Sequence, residues 1–222
     1  MTSEWGPEVP GWTPRDYPEH RSFAGTYVHI EPFDLNHCLA LFEAFVQRPE
    51  NWAYLPYGPF EVLADFQDWA REQATSRDPQ FYTFFVDGKA AGMAALMRIN
   101  QIHGSIEVGH IHFSPLIQGT RAATQGLFLL MDYGLSDLGY RRFEWKCNAL
   151  NAASCRAATR FGFTFEGIHR QASVFKGRSR DTAWYSILDS EWPALKAAFE
   201  VWLQVDNFDS EGQQIRKLSE CR

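Results

Sequence analysis

The stretch Pro115–Gly126, PLIQGTRAATQG, sets small and polar residues between a strand-like run, SIEVGHIHF, and a helix-like run, LFLLMDYGLSDLGY. A strand that passes straight into a helix leaves the first backbone N–H groups of that helix unpaired and aimed outward. With the positive end of the helix dipole they make an anion site, and small side chains let a pyrophosphate reach the amides. No Asp or Glu stands in the first turn to repel it. The candidate anion-binding residues are Gln118, Gly119, Thr120, Arg121, Ala122 and Ala123. The same residues also describe a plain cap at Thr120 with Ala122 and Ala123 packed on a strand, and the segment leaves both alternatives open.

Other side chains could carry chemistry. His110 and His112 share a strand face by period two, and either could relay a proton through water. Their alternation is compatible with a metal, yet no third ligand accompanies them, so no metal site is expected. Cys155, inside a short amphipathic helix, reads as packing rather than as a nucleophile. The loop NWAYLPYGPF brings Trp52, Tyr54, Tyr57 and Phe60 together as a candidate pocket for an amine, by cation–π contact or enclosure, or as plain core.

These residues need elements to hold them. GTYVHIEP reads as a strand, and Asp34 caps a helix in which Leu35, Cys38, Leu39, Phe42 and Val46 recur at helical spacing. A second helix, VLADFQDWAREQATS, follows the aromatic loop. FYTFFV and AAGMAALMRIN form a hairpin about Asp87-Gly88, with SIEVGHIHF as the third strand of the meander. Ala123, Leu127, Leu130, Met131, Gly134, Leu135 and Leu138 line one face of the next helix, which Gly139 stops. RRFEWKCN alternates as a strand, AASCRAATRF is a short helix, and FTFEGIHRQASVF pairs through KGRSR with DTAWYSIL. The expected fold is α/β, one central mixed twisted sheet of about six to seven strands flanked by helices. Residues 1–24, with four prolines and Trp5 and Trp12, form an arm; 25–203 form the domain; 204–222 form a polar tail expected to be mobile.

Composition narrows the function classes. At 222 residues and 45% apolar content the chain suits one domain. A net charge of −6 argues against a nucleic-acid binder held through phosphates. Cys38, Cys147, Cys155 and Cys221 lack the spacing of a disulfide scaffold, so they read as reduced thiols in a cytoplasmic protein. No secretory leader or run of membrane-spanning length is expected, hence no membrane partner.

Residues 22–190 resemble the GNAT superfamily of acetyl-CoA-dependent N-acetyltransferases, and within it the branch of the ribosomal-protein N-terminal acetyltransferases. The resemblance rests on the element order and on two motifs. QGTRAA matches the family's Gln/Arg-x-x-Gly-x-Gly/Ala at its last position, Ala123, but places Arg121 where the family has Gly. Either the turn tolerates an ordinary residue or the guanidinium is recruited to phosphate. NAASCRAATRFGF supplies the second motif, with Asn151, Ser154, Gly162 and Phe163 in register, and KGRSRDTAWYSIL is similar to that branch's final hairpin.

The resemblance implies direct attack of a primary amine, from a protein N-terminus or a small molecule, on acetyl-CoA, with no covalent enzyme intermediate. It implies Glu107 as the first candidate base, with His110 as a relay, and the backbone of Ile111, His112 and Phe113 around the thioester. Asn151 and Ser154 complete the donor site. Ala158 stands where many members carry a Tyr that protonates the leaving thiolate, so Ser154 is the remaining candidate. Lys176, Arg178 and Arg180 form most simply a solvated hairpin end, and more sharply a contact with the CoA 3′-phosphate or an acidic acceptor. A noncatalytic acyl-CoA sensor or scaffold is the alternative. A homodimer is the assembly that an outreaching arm would suit.

Overall fold

The structure, a computed structural model, describes residues 6–222, so Trp5 lies outside the described residues. One mixed sheet carries the strands β1 Phe23–Ala24, β2 His29–Pro32, β3 Gln80–Val86, β4 Lys89–Asn100, β5 Ser105–Phe113, β6 Arg142–Asn148, β7 Thr164–Phe175 and β8 Arg178–Leu188. Their order is β1-β2-β3-β4-β5-β6-β8-β7. Only the β5/β6 pair is parallel among these neighbours, because a helical crossover joins them while hairpins or longer returns join the rest. The two-residue β1 lacks a sequence pattern of its own and brings the sheet to eight strands, where about six to seven were expected.

The two-residue turns of the β3/β4 and β7/β8 hairpins, Asp87-Gly88 and Lys176-Gly177, take the positive φ angles of a tight connection. Helices α1 (Cys38–Phe45) and α2 (Leu63–Ala74) cover one face through Cys38, Leu41, Phe45, Phe66 and Ala70. Helices α3 (Arg121–Asp132) and α4 (Ala152–Phe161) cover the other, joined by α5 (Trp192–Trp202). Asp34 caps a short 3-10 turn that feeds α1, and Gly162, at φ +96°, ends α4 in the left-handed conformation that its lack of a Cβ permits.

Both terminal segments lie on the chain itself. The Trp12 indole donates to the Ile102 carbonyl at 2.9 Å, Gln80 donates to the Pro18 carbonyl, and the Glu19 amide donates to the Tyr133 hydroxyl. The segment 204–222, polar in sequence, is held by buried Phe208 and Leu218 and by Asn207, whose side chain donates to the Trp202 carbonyl. Two apolar anchors in a polar stretch suffice to hold it, which composition averaged over the segment conceals.

Candidate active site

The loop after β5 ends on Gly119, at φ +77°, and Thr120 caps α3 by accepting from the Ala123 amide. Among the described residues, the amides of Gly119, Arg121 and Ala122 donate to no protein group. The helix cap and the bare amides therefore coexist. Arg121 occupies the first helical residue, so the turn needs its glycine two residues earlier and tolerates an ordinary side chain here. The Arg121 guanidinium stacks over Tyr27 at 4.3 Å and Phe208 at 5.1 Å. Thr120, Arg121 and Ala122 form one wall of a cavity of about 650 Å³, closed opposite by Gly25–His29 and the β3–β4 turn.

Strands β5 and β6 pair from Ser105/Arg142 to Val108/Trp145 and then part, although both continue. A bulge lies on the β4 side of the same place: Ala95 pairs with Gly109, but Met93 pairs with His112, and His110 has φ +51°. The extra residue resets the alternation, so Glu107 and His110, which a period of two puts on opposite faces, both turn away from α3. Glu107 is buried. Its Oε2 accepts from Arg98 and meets Lys146, each at 2.9 Å, while Oε1 has no partner among the described residues.

His110 Nδ1 and the Tyr57 hydroxyl are hydrogen-bonded at 3.1 Å. Burial, reinforced by Arg98 and Arg180, lowers the His110 pKa to about 4, and burial lifts that of the Tyr57 phenol well above its usual value, so both are neutral near pH 7. His112 stacks on Phe45 at 3.9 Å and meets the Trp52 edge at 4.0 Å, with neither ring nitrogen hydrogen-bonded to protein. Sealed there, its side chain is no proton relay; only its backbone lies at the opening.

Beyond the opening, Asn151 caps α4 by accepting from the Ser154 amide at 3.1 Å, and the Ser154 hydroxyl accepts from the Trp145 indole at 2.9 Å. That bond leaves the hydroxyl its own proton, with the Cys147 sulfur as one acceptor in reach. Cys147 and Cys155 bring their sulfurs to 3.6 Å, and burial raises the Cys147 pKa to about 12, which keeps that thiol protonated. Ala158 is fully buried against the core. Of the aromatic loop, Trp52 is core, packed on Phe45, Phe60 and Phe66; Tyr54 ties the loop to the Leu150 carbonyl; Tyr57 alone reaches a candidate catalytic group. Among the described residues, no group of three or more His, Cys, Asp or Glu is placed to hold a metal ion.

Sequence reasoning missed Arg98 and Lys146, which pin Glu107, and the Trp184 ring that lies 3.9 Å from the Lys146 ammonium. The alternation of Arg142, Glu144 and Lys146 in RRFEWKCN was the available signal. It became informative only once Glu107 was known to lie opposite Glu144 in the parallel pair.

The sheet thus parts between parallel strands, with helix-start amides free to take an anion on one side and neutral or pinned titratable groups on the other. The chain belongs to the GNAT family of acetyltransferases: residues 28–164 match the acetyltransferase (GNAT) domain. It is 47% identical to a GCN5-related N-acetyltransferase from Brucella melitensis, whose crystal structure matches with a TM-score of 0.94 over 96% of this chain and 99% of that one. A GNAT-family protein of Chromobacterium violaceum, described as a probable acetyltransferase, is 41% identical over 85% of this chain and 96% of its own, with a TM-score of 0.80. Similarity to the spermidine N(1)-acetyltransferase of Escherichia coli K12 is 27% over 143 residues, 64% of this chain and 75% of that one. Acetyl-CoA is the acyl donor of the family, and the three bare amides with small neighbours and no acidic residue in the first turn fit its pyrophosphate.

Proposed function

We propose that the chain transfers the acetyl group of acetyl-CoA to a primary amine, on a protein N-terminus or a small molecule, by direct attack. The parting of β5 from β6 carries this reading, because it frees the side of β5 beyond Val108, on the strand that runs from Glu107 to the loop before α3. The amides of Gly119, Arg121 and Ala122 would hold pyrophosphate, and the backbone of Ile111–Phe113, unpaired with β6, would receive the thioester. Glu107 Oε1 would take the amine proton, directly or through water, while Oε2 stays fixed by Arg98 and Lys146. An α-amino group titrates near 8 and a lysine near 10.4, so this proton acceptor matters more for lysine. Ser154 would donate to the departing thiolate in place of the Tyr absent at Ala158. Protein N-termini are the acceptors that the similarity of KGRSRDTAWYSIL to the ribosomal-protein branch favours.

Calorimetric titration with acetyl-CoA, followed by thiol release against amines and N-terminal peptides, tests the reading. Binding with release is expected. Ala158 favours one alternative, a noncatalytic acyl-CoA sensor, for which binding without release across the panel is the signature. Absence of binding overturns both.

A further inference from the structure

On β8 the residues Arg180, Thr182, Trp184 and Ser186 alternate with Ala183, Tyr185 and Ile187, which pack in the α3/α4 core. Arg180 therefore shares the opposite face with Lys146, Glu107 and Trp184, at the end where β5 and β6 have parted. The ion pairs of this face match three cations to three carboxylates and leave Arg180 over. Arg98 and Lys146 engage Glu107, Lys146 and Arg142 engage Glu144, and Arg142 engages Glu166. Arg180 makes neither an ion pair nor a hydrogen bond among the described residues, and its Nε is buried without a partner. Its guanidinium lies 4.7 Å from the centre of the Phe175 ring, within electrostatic reach of Glu107 and His110. A partly desolvated guanidinium with no carboxylate of its own is completed by an anion, and its planar fork suits carboxylate and phosphate oxygens.

We propose that Arg180 is a specificity-determining residue of the acceptor site and that the acceptor is an amine carrying an anionic group, a carboxylate or phosphate, close to its amino nitrogen. The inference rests on the acetyl-transfer reading above and narrows it. The anion seats on Arg180 while the amine lies toward Glu107 Oε1. A polyamine would bring further positive charge to a face that already has an unpaired cation, and is disfavoured there.

The test is a matched acceptor panel in thiol release: amino acids against their carboxamides, O-phosphoethanolamine against ethanolamine, peptides beginning with Asp or Glu against those beginning with Asn or Gln, and spermidine. Acceptor binding is measured by calorimetry with and without CoA, so the charge preference is read even where turnover or donor binding fails. We expect kcat/KM or affinity about tenfold higher for the anionic member of at least one pair, and the preferred pair identifies the source of the anion. Arg180→Gln is expected to bring that ratio to within about twofold of one while acetyl-CoA affinity stays at the wild-type value; Arg180→Lys keeps part of the preference. Thermal melting confirms that each variant is folded, and the wild-type panel decides the matter if one is not. Equal or better use of neutral partners or spermidine overturns the proposal, as does an anionic preference that Arg180→Gln leaves intact. Failure to bind acetyl-CoA overturns the transferase reading instead.

Discussion

In the proposed transfer Glu107 would have two roles that its two oxygens separate. Oε2 completes an ion cluster, and Oε1 makes no hydrogen bond among the described residues. Glu107→Gln should lower kcat by about a hundredfold and change its pH profile, with acetyl-CoA affinity near wild type. The same change leaves Arg98 and Lys146 short of a carboxylate, so a lower Tm accompanies it. An unchanged kcat and pH profile would assign Glu107 to structure alone. His112 makes a different prediction. Its pKa is pushed down to about 3 by burial, so between pH 6.5 and 3 the unfolded chain binds the proton and the folded chain does not. Stability is full above pH 6.5 and falls as the pH drops below it. His112→Phe, which keeps the ring stacked on Phe45, should raise Tm at pH 5 more than at pH 7.5, and equal shifts at the two values would show that the imidazole does not titrate this way.

At the scale of the element, α3 joins the proposed donor site to the sheet. A Cβ on Gly126 would lie 2.3 Å from the Phe84 ring, so Gly126→Ala should push α3 off β3 and cost about 1–3 kcal/mol, seen as a lower Tm. The sequence revealed α3, α4, the two hairpins and the small-residue loop because each has a strong period or a turn residue with a mechanical reason. It did not reveal α5, whose Pro193 in the first turn and mixed faces resemble a linker until Trp192 and Phe199 are seen against Phe128. Nor did it reveal that Glu107 and His110 share a face, since one inserted residue in β5 reverses the alternation and no local letter announces it. The ion cluster needed the register of three strands, which pairing sets and sequence period does not.

At the scale of the whole molecule, the segment after α5 returns to the start of α3. Phe208 lies against Tyr27 and Trp202 and forms half of the stack around Arg121. Removing residues 204–222 should lower Tm and weaken acetyl-CoA binding several-fold by calorimetry, because Arg121 loses one of its two aromatic neighbours. Affinity equal to the full chain would separate the segment from the donor site. The Arg222 guanidinium donates to the carbonyl of Arg160 on α4, so the described chain ends against that helix. Tyr27 and Phe208 stand far apart in the sequence, so the aromatic neighbours of Arg121 come together only once the domain between them has folded.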